Sequence, residues 1–257
     1  MKQILSLFVV CGVFFGMLSC EKDKDDDAFL CQQCERGYRV LSLNNSLIDC
    51  NDQPGIFNNN AAEEGKDAYW IELPYGGQDL QYHYEEGASR YLVVCQCWTH
   101  IILQEKSSRP ITDISGFRLS IRKWVKYIKA RCPNPDVKII LAMNWPSIIT
   151  DDWARDMATL KASYQMVAEE FNLAICPVGM AYDLIRETEG KAVLNTMFVD
   201  QIHPTVKASY MADCMEFKLL FDESPVGLNY KPEDVSLEDA IKMQNYAEKA
   251  FNDFMER

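Results

Sequence analysis

The 257-residue sequence has little positive charge. Its 26 Lys and Arg residues are outnumbered by 38 Asp and Glu residues, which makes the formal net charge −12. Nucleic acids and anionic lipid headgroups are bound by clusters of Lys and Arg, and a chain this acidic lacks such an electrostatic surface. The composition therefore argues against a nucleic-acid partner. Internal repeats are also absent, and the only low-complexity stretch is an acidic segment near the N-terminus.

Histidine is scarce as well, so the search for a general base is short. His100 opens an apolar run typical of a strand, and His83 lies in a helix-like stretch. His203 lies in Asp200-Gln201-Ile202-His203-Pro204. An Asp three residues before a His can bind one ring nitrogen, which fixes the tautomer and leaves the other nitrogen free as a base. Taken alone, this segment also fits a purely structural loop.

A repeated metal-binding pattern is lacking too. Among ten cysteines, only Cys31-Gln32-Gln33-Cys34 has metal-like spacing, and no second pair of matching form follows it. We therefore expect no bound metal. Cys176 and Cys214 lie in apolar segments and are expected to be small core residues. Export would permit disulfides, but the sequence does not define their pairing.

The N-terminal residues resemble the start of an exported lipoprotein. Lys2 precedes an apolar run, Ile4 to Leu18, that is too short for a comfortable membrane span. Because Leu18-Ser19-Cys20 resembles a bacterial lipobox, we expect residues 1–19 to be a signal peptide and Cys20 to carry the lipid. An ordinary signal peptide cut elsewhere is the alternative. Residues 20–35 form an acidic tether similar to the surface-export signal of Bacteroidetes lipoproteins. The expected location is lipid-anchored in the cell envelope, at the outer membrane, on either its periplasmic or its exposed face.

The remainder, residues 36–257, has the pattern of one α/β domain. Short apolar stretches alternate with longer helical ones, which predicts a parallel sheet covered by helices on both faces, a three-layer α/β/α sandwich. The predicted strands are Tyr38–Leu43, Tyr69–Leu73, Thr99–Leu103, Val137–Met143 and Leu173–Cys176. The predicted helices are Phe57–Asp67, Asp79–Gln96 with a break at Gly87, Ile114–Arg131, Asp152–Phe171, a stretch ending at Arg186, Val206–Phe221, and Pro232–Glu256 with a cap at Ser236.

Polar and small residues follow the predicted strands, at the edge where open parallel sheets bind ligands. Ser46 follows the first strand, where a helix N-terminus would favour the negative charge of acyl transfer; a plain helix cap is the alternative. Gly77 follows the second strand and can bring its N–H close to a substrate oxygen, although Gly76-Gly77 is also a common turn. Gln104 follows the third strand, either as a further donor or as an amide that ties loops together. Asn144, after the fourth strand, ranks lower as a donor.

In this order, these residues resemble the SGNH (GDSL-like) hydrolases, and more closely a branch of bacterial lipoproteins in that superfamily. The resemblance runs from about Val40 to Leu228. Five blocks carry it: Asn44-Asn45-Ser46, the segment from Gly76-Gly77 to His83, Leu103-Gln104-Glu105, Pro177-Val178-Gly179, and Asp200 through Thr205 with Ser209-Tyr210.

The resemblance implies a doubly wound, flavodoxin-like, five-stranded parallel sheet and serine-dependent hydrolysis of an ester, with no metal or organic cofactor. It implies that Ser46 is the nucleophile, His203 the base and Asp200 the residue that orients the base. The oxyanion hole would consist of the backbone N–H groups of Ser46 and Gly77 and the side chain of Gln104.

Two residues depart from the family pattern. Asn44 replaces a Gly and is expected to add a side chain beside the nucleophile, since Asn tolerates positive φ better than most residues. Gln104 replaces the usual Asn donor after the third strand, and Asn144 follows the wrong strand to take its place. A misplaced donor costs about 3 kcal/mol of transition-state stabilisation, which is on the order of 10²-fold in rate.

The expected function is removal of a small acyl group, acetyl above all, from a carbohydrate ester. Asn45, His83 and Trp145 are candidate walls of the substrate pocket, with ordinary packing as the alternative for His83 and Trp145. A glycan-binding lipoprotein with the same fold and little or no catalysis is the rival function. Hydrolysis of lipid or thioester substrates is a third option, which a deep apolar cleft beside Ser46 would favour.

Overall fold

The computed structural model describes residues 37–256, so the predicted signal peptide, Cys20 and the acidic tether lie outside the described residues. The strands are β1 Tyr38–Asn44, β2 Ala68–Pro74, β3 His100–Leu103, β4 Lys138–Ala142 and β5 Ala174–Cys176. The helices of this part are α1 Ser46–Asp49, α2 Gln53–Glu63, α3 Leu80–Glu86, α4 Ala88–Cys95, α5 Arg109–Thr112, α6 Ile114–Arg131, α7 Trp153–Phe171, α8 Val178–Glu189, α9 Lys191–Asn195, α10 Val206–Phe221 and α11 Leu237–Met255. Between residues 37 and 256, no helix is both long and apolar enough to cross a bilayer.

All five strands run parallel, in the order β2-β1-β3-β4-β5. β1 lies inside the sheet, where Asn44 is in register with Pro74 of β2 and Leu43 with Leu103 of β3. The chain moves outward from β1 to β2 and then returns past β1 to β3. The strand order therefore reverses at the carboxyl end of β1, the kind of position at which open α/β sheets bind ligands. The predicted doubly wound sandwich is confirmed.

Local side-chain chemistry explains where the long helices begin. Asp113, Asp152 and Ser236 cap α6, α7 and α11, each by accepting a hydrogen bond from a backbone N–H three residues further on. Gly87 has a φ of +88° and separates α3 from α4. The predicted cap at Ser236 and the predicted break at Gly87 are confirmed.

Two features of the helices differ from the prediction. Helix α2 begins at Gln53 rather than Phe57, because the Asp52 side chain accepts a hydrogen bond from Gly55 N and Pro54 fits the first turn of a helix. The short helices α5 and α9 were not predicted, and of α1 only the start at Ser46 was. A helix of four or five residues is too short to show the i, i+3, i+4, i+7 spacing of apolar residues by which a helix is predicted.

The hydrophobic core covers both faces of the sheet. Every residue of β3 is buried, and Val40, Leu41 and Leu43 of β1 are fully buried. Cys176 and Cys214 are buried free thiols, as predicted for small core residues. A sheet buried on both faces leaves its strand ends as the accessible edge, and the candidate site lies there.

Helix α10 carries two carboxyl groups into the interior. Asp213 and Glu216 are at most 1% exposed. Asn60 Nδ2 donates to Asp213 Oδ2 at 2.5 Å, and Gln53 Nε2 donates to Glu216 Oε2 at 2.6 Å. The second oxygen of each group has no partner among the described residues. Burial raises the pKa of both carboxyl groups well above the usual value, and the Asp213 charge raises that of Glu216 further.

Because the pKa values of Asp213 and Glu216 are raised, we predict that the free energy of unfolding falls as the pH rises. The folded protein retains protons that the unfolded chain releases near pH 4, so the free energy of unfolding decreases as pH increases from there towards the raised pKa values. The double substitution Asp213→Asn with Glu216→Gln keeps an acceptor for each amide without titrating. We expect it to raise the free energy of unfolding at pH 8 by on the order of 2 kcal/mol.

Urea unfolding at pH 5 and pH 8 measures this effect. The exposed Glu233→Gln is the matched control and should behave like the unmodified protein. If the double variant lost as much stability between the two pH values as the unmodified protein does, the two buried acids would not be its cause.

Candidate active site

Ser46 lies directly after β1, at the first position of helix α1. Asn45 caps this helix, since its Oδ1 accepts a hydrogen bond from Leu47 N at 3.2 Å. The half-buried Ser46 side chain lies at the carboxyl edge of the sheet, and its Oγ is 2.9 Å from His203 Nε2. The predicted placement of Ser46 at a helix N-terminus is correct, but the residue that serves as the cap is Asn45.

His203 lies in the loop between α9 and α10 and contacts the predicted acid. Its Nδ1 is 2.8 Å from Asp200 Oδ2. Asp200 Oδ1 accepts two backbone hydrogen bonds, from Ile202 N and from His203 N, both at 2.8 Å. These bonds hold the pKa of the Asp200 carboxyl down at about 2, with the backbone N–H of His203 as the largest cause and that of Ile202 next. The ionised carboxylate accepts the Nδ1 proton and leaves Nε2 free to accept the Ser46 proton.

The loop that carries this pair is braced on both sides. Val199 N donates to His203 O at 2.9 Å, and Phe198 forms an antiparallel bridge with Pro204. Ile148 N, in the loop after β4, donates to Gln201 O at 2.9 Å. The position of His203 therefore depends on backbone contacts as well as on Asp200.

Asn45 joins the ends of three strands. Its backbone N–H donates to Gln104 Oε1 at 3.2 Å. Its Nδ2 lies 3.4 Å from both Gln78 O and Glu105 O. The loops after β2 and β3 are thus attached to the residue that precedes Ser46, which brings the three predicted oxyanion elements to one place.

Gly77 lies in a tight turn next to this junction. Gln78 N donates to Tyr75 O at 3.0 Å, and Gly77 has a φ of +70°, as the third residue of a type II turn requires. The residue is exposed, and a Cβ added to it would meet no atom within 4 Å. The turn interpretation of the Gly76-Gly77 pair is therefore confirmed, and the role of the Gly77 N–H at the site stays a prediction.

Gln104 also fits both of its predicted roles. Its carbonyl oxygen accepts the Asn45 N–H and so ties β3 to the start of α1. Its NH₂ group donates to no described residue and keeps some contact with solvent, although the residue as a whole is 2% exposed. The amide is therefore held in place at one end and free to donate at the other.

The Asn44 side chain is buried and bonded within the protein rather than open to the site beside the nucleophile, and this expectation is corrected. The residue is the last of β1, is fully buried and does not have a positive φ. Its Nδ2 donates to Glu72 Oε2 at 2.7 Å, and its Oδ1 accepts from Ser42 Oγ at 3.2 Å. Burial raises the pKa of Glu72 to about 7, although the Asn44 bond lowers it. The Asn44 side chain, which departs from the family pattern, is therefore held by a hydrogen bond to Glu72 on β2.

Asn144 is unsuited to the donor role for which it ranked second. It is fully buried, and its Nδ2 donates to Glu105 O at 2.5 Å. Glu105 is buried beneath the site, where burial raises the pKa of its carboxyl to about 7 despite backbone hydrogen bonds and Arg109 at 3.7 Å. Asn144 and Glu105 both brace the loop after β3. The only sign of this role in the sequence was an acidic residue, Glu105, close to the end of an apolar strand.

Three residues predicted to line the substrate pocket lie in the interior instead. Asn45 is 3% exposed and uses its side chain to join loops, as described above. His83 is fully buried, with Nε2 bonded to Asn44 O and Nδ1 to Ser89 Oγ. Trp145 is 3% exposed; its Nε1 donates to Ile202 O, and its ring packs on that of Tyr182. For His83 and Trp145, packing was the better interpretation, because helix and loop contacts from distant segments cover them.

A mostly apolar groove, which was not predicted, lies beside the His203 loop at the ends of β3 and β4. One wall is formed by residues shortly after Glu105 in the chain, and the other includes Ile202, which precedes His203. Trp145, which is 3% exposed, contributes little surface to the groove. The groove is lined by Ser107, Ser108, Ile111, Thr112, Trp145, Pro146, Ser147, Thr150, Asp156 and Ile202.

No family model matches the sequence, and no curated protein matches it significantly. Solved structures, by contrast, match well in fold. A DUF4886 family protein from Bacteroides uniformis has a TM-score of 0.74 at 16% identity, over 84% of this chain and 95% of that one. A protein from Slackia heliotrinireducens classed with the SGNH hydrolases has a TM-score of 0.57 at 17% identity, over 72% and 100%.

An acetyl-xylooligosaccharide esterase from Geobacillus, solved as a mutant, has a TM-score of 0.56 at 15% identity, over 71% of this chain and 94% of that one. At these identities the likeness concerns the arrangement of strands and helices. That arrangement is the one predicted above, with Ser46 after β1 and the Asp200–His203 loop before α10. The chain therefore has the fold of the SGNH hydrolases.

Proposed function

We propose that this protein is a serine ester hydrolase with Ser46 as nucleophile, His203 as general base and Asp200 as the residue that orients the base. One observation carries the proposal: Ser46 Oγ, His203 and Asp200 form a continuous hydrogen-bonded series, with distances of 2.9 and 2.8 Å. A base within such a distance of the hydroxyl can accept its proton during attack. The fold shared with SGNH hydrolases and esterases supports the same chemistry.

The reaction proceeds in two steps. Ser46 Oγ attacks the ester carbonyl carbon while its proton passes to His203 Nε2, and the resulting tetrahedral intermediate expels the alcohol, which takes that proton from His203. A water molecule then attacks the acyl-enzyme, with His203 again accepting and returning a proton. The carboxylic acid leaves and Ser46 regains its hydrogen. Asp200 stays ionised and stabilises the transient imidazolium through Nδ1.

The negative charge on the carbonyl oxygen requires donors near Ser46. The backbone N–H groups of Ser46 and Gly77 and the NH₂ of Gln104 are proposed for this role. Gly77 and Gln104 follow the two strands that flank β1, and the Asn45 bonds hold both of their loops. Donors fixed in advance contribute most to the rate, because they need no reorganisation when the charge develops.

For the substrate, we propose an acetyl ester of a carbohydrate. A fold relative is an acetyl-xylooligosaccharide esterase, and the N-terminal residues predict an exported, lipid-anchored protein of the cell envelope, where polysaccharides are available. The edge of the sheet around Ser46 is accessible, so a bulky alcohol can approach it. The rival of a glycan-binding protein without catalysis gains no support from the site, since Ser46, His203 and Asp200 are arranged for proton transfer.

A second candidate is hydrolysis of esters with longer acyl chains. The apolar groove beside Ile202 favours it, because an alkyl chain leaving the carbonyl carbon could extend there out of water. Rates with p-nitrophenyl acetate, butyrate and octanoate separate the two candidates. A maximum at acetate supports the carbohydrate acetyl ester, and a maximum at octanoate supports the longer chain.

A fluorophosphonate probe tests the proposed nucleophile directly. The purified protein should form one covalent adduct on Ser46, because the probe reacts with a serine hydroxyl that a neighbouring base activates. Ser46→Ala should not label, and His203→Ala should label far more slowly. Intact mass and peptide mapping measure the adduct, with the exposed Ser224→Ala as the matched control. Equal labelling of the Ser46→Ala variant would refute the proposal.

A further inference from the structure

Two tyrosines beside the Gly77 turn offer aromatic surface that the buried Trp145 and His83 do not. Tyr75 directly follows β2, and Tyr82 lies on α3 with 37% of its surface exposed. We propose that Tyr75 and Tyr82 form a platform on which the carbohydrate part of the substrate stacks, on the β2 side of Ser46. This inference rests on the proposed function and names the part of the site that holds the alcohol.

The platform is tied to the nucleophile by the sheet itself. Tyr75 N donates to Asn44 O at 2.9 Å, so Tyr75 lies directly beside the strand residue that is two positions before Ser46. The turn that begins at Tyr75 contains Gly77 and returns to Asn45, whose Nδ2 is 3.4 Å from Gln78 O. A sugar ring next to this turn is therefore next to the atoms that would bind the ester carbonyl.

The rings are held at an angle to each other rather than stacked face to face. The Tyr75 and Tyr82 centroids are 5.1 Å apart with planes at 77°, and Tyr75 also meets His83 at 4.8 Å and 63°. His83, which Tyr75 contacts, is held by bonds at 2.9 Å to Asn44 O and at 2.8 Å to Ser89 Oγ. Tyr75 therefore has a fixed neighbour, and the exposed side chain of Tyr82 provides the ring surface for a ligand.

The surrounding side chains suit a neutral sugar. A pyranose ring has an apolar C–H face that packs on an aromatic ring and a rim of hydroxyl groups that need polar partners. The Gln78 side chain is exposed and forms no hydrogen bond with a described residue, so its amide can meet that rim. Glu86 lies four residues after Tyr82 on α3 and so on the same face of that helix. Its negative charge disfavours sugar acids and favours uncharged sugars.

The two sides of Ser46 thus differ in chemistry. The β2 side has aromatic and amide groups, and the β4 side has the apolar groove that includes Ile202 and Ile111. An ester joins an alcohol to an acyl group through the carbon that Ser46 attacks. The two parts of a sugar ester would lie on opposite sides of Ser46, with the sugar on the tyrosines and the acyl group towards the groove.

Steady-state kinetics of Tyr82→Ala and Tyr82→Phe test the platform. The substrates are acetylated xylo-oligosaccharide, cellobiose octaacetate and ethyl acetate, whose small alcohol has no ring to stack. We expect Tyr82→Ala to raise KM for the sugar acetates about tenfold and to change kcat/KM for ethyl acetate less than about twofold. Tyr82→Phe keeps the ring and should retain the KM of the unmodified protein. Tyr91→Ala, which removes a 68% exposed tyrosine on α4, is the matched control and should change nothing.

The outcomes separate this inference from the proposed function. Equal losses of Tyr82→Ala on all three esters, or an unchanged KM for the sugar acetates, would overturn the platform. Turnover of ethyl acetate without turnover of either sugar acetate would also overturn it and leave the esterase standing. If no ester is hydrolysed, the proposed function fails, and calorimetric titration with xylo-oligosaccharide decides the platform alone: binding that Tyr82→Ala weakens supports it, and absence of binding refutes it.

Discussion

Replacing His203 with alanine is expected to lower kcat for p-nitrophenyl acetate by about 10⁶-fold. Without the imidazole, no group of residues 37–256 lies within hydrogen-bond distance of Ser46 Oγ to accept its proton, since His203 Nε2 is its partner there. Ser46→Ala removes the nucleophile and should cost about as much. The double variant should be no slower than either single variant, because residues that act as a unit in one step do not contribute additively.

Initial rates at saturating substrate, corrected for spontaneous hydrolysis, measure these losses. Thermal unfolding of each variant shows whether the fold is kept. Ser224→Ala changes an exposed serine in a turn away from the sheet edge and should retain full kcat. A kcat of His203→Ala above about one per cent of the unmodified value would mean that another group accepts the proton, and the assignment of His203 would then be wrong.

The fold could be predicted because its signals are local and repeated. A parallel sheet buried on both faces needs apolar strands, and the helices between them need caps and apolar faces. The bounds of α6 and α10 match the predicted ones at both ends, and the predicted order of strands and helices is the observed one. The placement of Ser46, Gly77 and Gln104 after successive strands follows from that chain order, and the observed sheet order β2-β1-β3 makes those strand ends adjacent.

What the sequence did not reveal depends on contacts between distant segments. The pattern around Asn44 suggested a side chain beside the nucleophile, yet Glu72, 28 residues away, holds that amide inside the protein. His83 lies on an outwardly polar helix, but Asn44 O and Ser89 accept or donate at both of its ring nitrogens and remove it from the surface. Exposure is set by such partners, and a single sequence does not identify them.

The same reasoning explains why Gln104 could not be assigned to one role. An amide that donates to the substrate and an amide that ties loops together would both directly follow β3, so the position of Gln104 does not separate the two roles. Only the bond from Asn45 N to Gln104 Oε1 shows that one end ties the loops and the other end remains free. The extra methylene relative to Asn gives the side chain the reach to accept this bond at the start of α1.

Asp200→Asn is expected to lower kcat by about 10⁴-fold while leaving the loop in place. Asp200 Oδ1 accepts the backbone N–H groups of Ile202 and His203, and Oδ2 accepts from His203 Nδ1. An amide oxygen can keep the two backbone bonds, but its NH₂ group then meets Nδ1 and donates to it. The ring proton moves to Nε2 and points at Ser46 Oγ. Nε2 then cannot accept the Ser46 proton.

Comparison with Asp200→Ala separates the catalytic role from the structural one. The alanine variant loses the backbone bonds as well, so its Tm should fall, whereas the Tm of Asp200→Asn should stay close to that of the unmodified protein. The pKa of about 2 means that the carboxylate is ionised throughout the range in which esters are assayed, so the unmodified protein should lose no activity there through protonation of Asp200. If Asp200→Asn retained kcat within tenfold while Asp200→Ala lost it, Asp200 would anchor the loop without setting the tautomer. His203 would then owe its orientation to the backbone contacts of Val199, Phe198 and Pro204.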